Sequence, residues 1–160
     1  MKIGGLGLGD HIRLLMPLFI FIAAVWLLRI LLDAAHVPHL IAHAFSVTAA
    51  ETIAIFLAVL LMEVRQTGGY INVVVASIML TVWGQILIVA AILFSVVTGI
   101  TNVFTQPEFS VPGDDKYHVR HILGHLTYGI GLGIIFGAAM GCVLLLLLRV
   151  LVPPTPKKGR

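Results

Sequence analysis

Long apolar runs separated by short polar breaks divide the chain into four predicted helices, at about 12–33, 49–65, 73–97 and 119–150. A bilayer crossing takes about 20 residues at about 1.5 Å each. The second run is therefore the shortest candidate span, and the fourth exceeds a single crossing. The breaks carry turn chemistry: Pro38 after the first run, Gly68-Gly69 after the second, and Pro107, Pro112 and Gly113 between Ile100 and Lys116. Thr48 with Glu51 three residues on forms a capping-box pattern for the second helix. Asn72 suits the cap of the third helix, Gly99 its end, and Asp114 or Asp115 the cap of the fourth. Pro153, Pro154 and Pro156 stop the fourth helix and leave residues 153–160 as a short basic tail. The pattern predicts an all-α integral membrane protein, a single domain over 1–152 folded as an antiparallel four-helix bundle.

Composition supports the lipid environment. The 160 residues are 59% hydrophobic and 11% charged, with a mean hydropathy of +1.08. Soluble domains are nearer about 45–50% apolar and about 25% charged. A soluble fold of this size has too little interior to hide the excess, so it must face lipid. That excludes a disordered chain, a conventional soluble enzyme and, with Cys142 alone, a disulfide scaffold. Leu14–Leu32 is expected to be a retained helix and not a cleaved signal, because Pro17 and Arg29 interrupt it and no small-residue cleavage site follows.

Charge gives the expected orientation. Lys2, Arg13, Arg65, Arg149, Lys157, Lys158 and Arg160 fall on one side of the four spans, against Lys116 and Arg120 on the other. The positive-inside rule then places both termini in the cytoplasm of a bacterial or archaeal cell membrane. The net charge of +3 is scattered or gathered at the C-terminus, which suits an anionic bilayer surface and not nucleic acid. Asp33, Glu51, Glu108, Asp114 and Asp115 collect at the opposite, outer end.

Six of the seven histidines join them there. His36, His39 and His43 follow the first span, and His118, His121 and His125 open the fourth with the same spacing. Positions separated by three, four and seven share a helix face. Pro38 disturbs that geometry in the first set, leaving His39 and His43 as a pair and His36 beside Arg29 and Asp33. His11 lies at the other end and stands apart. Imidazole is a good ligand for iron, copper and zinc and the usual axial ligand of haem. His39, His43, His121 and His125 are therefore the expected cofactor ligands. The wider candidate metal set is His36, His39, His43, Glu51, His118, His121 and His125. The cofactor expected is a transition metal (iron, copper or zinc) or a b-type haem. No zinc-protease motif, nucleophile elbow or phosphate loop points to a specific reaction, so whether the chain is an enzyme stays open.

Two further patterns run along the spans. Gly129, Gly133, Gly137 and Gly141 recur every four residues, and the line extends back through His125 and His121. A row of small residues admits a close helix neighbour, here expected to be another membrane subunit or a second copy. Ser77, Thr81 and Gln85 stripe the third helix and are expected to serve packing, since a polar path would need a carboxylate that their own stretch lacks. The expected function is a redox protein or metal-bearing subunit of a larger membrane complex, with an outward-facing histidine site. The alternative is a non-catalytic accessory subunit docked through the glycine row.

Overall fold

The computed structural model describes residues 2–38, 41, 44–106 and 117–151. Its helices are α1 (Leu8–Ala34), α2 (Val47–Val64), α3 (Tyr70–Thr98) and α4 (Val119–Leu151). Each is long and apolar enough to cross a membrane. His11 of α1 meets Asn72 of α3 near their first turns, and Asp33 near the end of α1 meets Gln106 just beyond α3. These two helices therefore run in the same direction. Arg149 near the end of α4 meets Glu63 near the end of α2, so this pair runs the opposite way. The central helices α2 and α3 both touch α1 on one side and α4 on the other.

The local boundaries differ from the expected ones for identifiable reasons. Helix α2 begins at Val47 because Ser46 Oγ accepts the Ala49 N–H at 3.4 Å. Thr48 is inside the helix, where its carbonyl accepts the Thr52 hydroxyl, and Glu51 is released from the expected capping box. Helix α3 starts at Tyr70 after Gly69 and ends on Gly99, whose φ of 72° makes it a left-handed C-cap. Asn72, expected as a cap, instead reaches across the bundle. Its Nδ2 donates to the Gly4 carbonyl at 3.1 Å, and its Oδ1 lies 3.0 Å from His11 Nε2. Gly4 belongs to a small N-terminal hairpin that pairs Lys2 with Gly7 and Ile3 with Leu6. Gly4 and Gly5 take φ of 58° and 87° in its two-residue turn, which is the backbone twist such a tight hairpin requires.

At the other end, the connection after α3 folds back onto the bundle. Asn102 Nδ2 donates to the Ala91 carbonyl at 2.8 Å, and its Oδ1 accepts the Phe104 N–H at 2.9 Å. These bonds bury Val103 and Phe104. Arg29, near the end of α1, stacks its guanidinium over the Phe104 ring at 5.0 Å. Asp33 accepts from Gln106 at 2.8 Å, so the expected local Arg29–Asp33 set is tied into this fold-back. His36 is exposed beyond the C-terminus of α1 with a φ of 55°.

Helix α4 holds the tightest seam. An added Cβ would meet Gln85 at Gly129, Thr81 at Gly133, Ile55 and Ser77 at Gly137, and Val73 at Gly141. The glycine row and the row Val73, Ser77, Thr81, Gln85 therefore interlock as antiparallel partners, one residue to each. The row meets α2 and α3 of its own chain. Because a step of four residues overshoots a 3.6-residue turn, the glycines drift from α3 toward α2, and Ile55 joins the contact at Gly137 and Gly141. The other side of α4 is open. Only 17% of its most apolar stretch is buried, against 44% for α2 and α3, and Leu132, Ile135 and Phe136 are exposed.

This packing separates two glycines only six residues apart. Gly137→Leu drives a side chain into Ile55, whose Cδ1 would lie 2.5 Å from the new Cβ, whereas Gly131 has nothing within 4 Å. Overpacking costs about 1–3 kcal/mol. Gly137→Leu is expected to lower the thermal midpoint of detergent-solubilised protein, and Gly131→Leu to leave it unchanged or raise it; equal midpoints would remove the seam from the account.

Candidate functional site

The site lies where the N-terminal halves of α2 and α4 flank the C-terminal half of α3. Glu51 sits on the same face of α2 as the small buried residues Ala50, Ala54 and Ala58 and is only 3% exposed. Gln85 comes from α3 and is equally buried. Between them Gly84 leaves the necessary space: a Cβ there would run into the Glu51 carboxylate, with its Cδ at 2.7 Å. Gly129 does the same for Gln85, whose amide carbon would stand 3.1 Å from an added Cβ. Two glycines thus clear the volume that two polar side chains occupy.

The hydrogen bonds form one directional chain. Gln85 Nε2 donates to Glu51 Oε1 at 3.0 Å and approaches Oε2 at 3.4 Å. That commits the amide nitrogen to the carboxylate and turns Gln85 Oε1 toward His125, where Nδ1 donates to it at 2.7 Å. His125 then presents a lone pair at Nε2. His121 Nε2 stands 3.2 Å from that atom, with the two ring centroids 5.0 Å apart and the planes tilted by 36°. Without another ligand, His121 Nε2–H donates to His125 Nε2. With both Nε2 atoms deprotonated, the same pair faces a shared cation. Two nitrogens bound to one tetrahedral ion at about 2.0–2.1 Å lie about 3.3 Å apart, so the observed spacing suits neighbouring ligands of a single metal.

A π-helical turn from His125 to Gly129 interrupts α4 at this point. Such turns hold more residues than an α-turn and often occur at functional sites. Here it joins the histidine-bearing segment Val119–Gly124 to the glycine-bearing segment Ile130–Leu151. His118 precedes the helix with a φ of 52°, its ring centroid 6.2 Å from that of His121.

The sequence-predicted residues fall into distinct places. His121 and His125 are brought together, His118 stands beside them, and Glu51 reaches them through Gln85. His36 is on the exposed surface at this end. His39 and His43 lie outside the described residues, as do Glu108, Asp114 and Asp115. Among the described residues, no three His, Cys, Asp or Glu side chains converge on one point. Sequence reasoning missed Gln85 and Gly84 as site residues. The Ser77–Thr81–Gln85 stripe has no carboxylate of its own, but α2 supplies one across the bundle. The available signal was Gly84 on the same face as Thr81 and Ser77, together with Glu51 beside the Ala50/Ala54/Ala58 face.

No family model, curated protein or solved structure matches the chain.

The Glu51–Gln85 bond can be weighed by a pair of variants. Gln85→Leu strands a buried carboxyl and is expected to cost about 2 kcal/mol, while Glu51→Leu combined with Gln85→Leu removes both partners and recovers much of that loss. Chemical unfolding of the single and double variants in detergent measures the difference; a double variant no more stable than Gln85→Leu would argue against this coupling.

Proposed function

We propose that the chain is an integral membrane protein that holds a transition metal at the outer end of its bundle. In this reading both termini are cytoplasmic, following the positive-inside bias, and the open apolar faces of α1 and α4 contact lipid. The metal is iron, copper or zinc, bound through Nε2 of His121 and His125. The observation that carries the proposal is the 3.2 Å separation of these two atoms, with His125 oriented through its other nitrogen by Gln85 and Glu51. Ligand imidazoles commonly have such a partner on the second nitrogen, which fixes the ring and increases its basicity. His39 and His43, which follow α1 in the sequence, are proposed to complete the coordination.

The geometry favours a bare ion over a b-type haem. Axial imidazoles approach haem from opposite faces, whereas His121 and His125 present neighbouring nitrogens from one helix. A haem would use one of them against His39 or His43. The role proposed is that of a redox protein or metal-bearing subunit in a larger membrane complex. Because α2 and α3 of the same chain occupy the glycine row, a partner subunit is proposed to meet part of the outer face of α4, with lipid against the rest. The accessory-subunit alternative differs in requiring no metal.

Elemental analysis and an absorption spectrum of gently solubilised protein provide the test. About one equivalent of iron, copper or zinc is expected without a haem Soret band, and His121→Ala and His125→Ala should each lose it. Glu51→Gln should weaken metal affinity about tenfold through the orienting chain. Metal-free protein that tolerates both alanine variants would favour the accessory role; a Soret band lost with either variant would replace the bare ion with haem.

A further inference from the structure

The polar chain also forms the head of a lateral cavity between α2 and α4. Its volume is about 340 Å³, within the usual range for a small-molecule site. Glu51, Gln85 and His125 lie at one end, and Ile55, Phe136 and Met140 line the remainder. Gly129, Gly133 and Gly137 contribute a wall with little side-chain volume. Thr81 also lines it; this residue is 1% exposed, and its hydroxyl has no hydrogen-bond partner among the described residues. A buried hydroxyl without a partner costs free energy comparable to a lost hydrogen bond. A ligand supplying that partner would remove the penalty.

We infer that this cavity binds the ring of a neutral, lipid-soluble quinone, with its apolar tail directed toward the bilayer. The inference rests on the membrane placement proposed above and does not require the metal. Three observations select the class. No lysine or arginine is among the described residues lining the cavity, while Glu51 is, so a phosphate headgroup would meet a carboxyl group and no compensating cation. Phe56, Tyr128 and Phe136 line the cavity, giving a flat ring aromatic surfaces to contact. The flanking helix surfaces are apolar: Ile53 and Leu57 on α2 and Leu132 and Phe136 on α4 are exposed. A ligand therefore enters sideways from hydrocarbon and keeps its tail there. The Thr81 hydroxyl donates to a ring carbonyl, while Glu51 can accept a hydrogen bond from a ring hydroxyl in the reduced form.

Photolabelling tests this site without relying on bulk partition of a greasy probe into lipid. Chelator-treated, metal-free protein in phosphatidylcholine nanodiscs is irradiated with an azido-ubiquinone analogue, and labelled peptides are mapped by mass spectrometry. Label is expected on the segments containing Phe56 and Tyr128–Met140, suppressed at least about fivefold by excess decylubiquinone. Thr81→Val should weaken competition by about fivefold, the effect of one net hydrogen bond, and Thr81→Ser should restore it. Met140→Trp, at a half-exposed position, should fill the cavity and abolish specific label while leaving the helical circular dichroism unchanged. Label spread over all four helices, or label that decylubiquinone does not suppress, would overturn the inference. Equal suppression by a short-chain phospholipid would also overturn it by assigning the cavity to ordinary lipid. Failure of the metal proposal is read separately by elemental analysis, and failure of membrane placement by release of the chain from membranes at alkaline pH.

Discussion

The close approach of α3 and α4 sets the geometry on which the polar site depends. Four glycines on α4 meet Gln85, Thr81, Ser77 and Val73 on α3 in antiparallel register, with Ile55 of α2 entering the lower half. A side chain at any of these glycines would force the helices apart. The contact brings Gln85 close enough to accept from His125, and only at that separation can Gln85 also donate to Glu51 on the far side. Dispersion contacts are individually weak and fall away over fractions of an ångström. Register and distance are therefore established together: the packing that holds the bundle also places its polar chemistry.

Two connections secure the opposite ends of this arrangement. At one end the N-terminal hairpin lies on the turn between α2 and α3, held by Asn72 and His11. At the other, residues 99–106 return to bury Val103 and Phe104 against α1 and α3. Both are small structures rich in backbone-to-side-chain bonds, and both tie α1 to α3 where helix packing alone leaves frayed ends. The resulting bundle sets a few hydrogen-bonded polar side chains within a largely apolar core and exposes large apolar side chains along its outer faces.

The four helices were legible because apolar runs of this length have few alternatives, and Gly99 ended α3 through the left-handed conformation expected of it. Single caps were less legible. Thr48 and Ser46 compete for the same helix start, and spacing alone favoured the pair with Glu51, although Ser46 makes the bond. Asn72 can satisfy either its own helix or a distant chain segment, and nothing local records the presence of Gly4. The site showed the same division. His121 and His125 were apparent from their spacing within one helix. Their link to Glu51 depends on Gln85 standing between three helices, a relation that one-dimensional periodicity does not contain. The glycine row and the Ser77–Thr81–Gln85 stripe were each visible separately; their common interface was not.

The π turn at His125–Gly129 gives the two parts of α4 different rotational settings. Removing one residue's worth of winding there would rotate the segment before it by about 100° relative to the segment after it. The glycines could remain seated against α3 while His118 and His121 turned away from the Gln85 side. A single local change in helical winding is thus enough to uncouple the chemistry of this end from the scaffold beneath it.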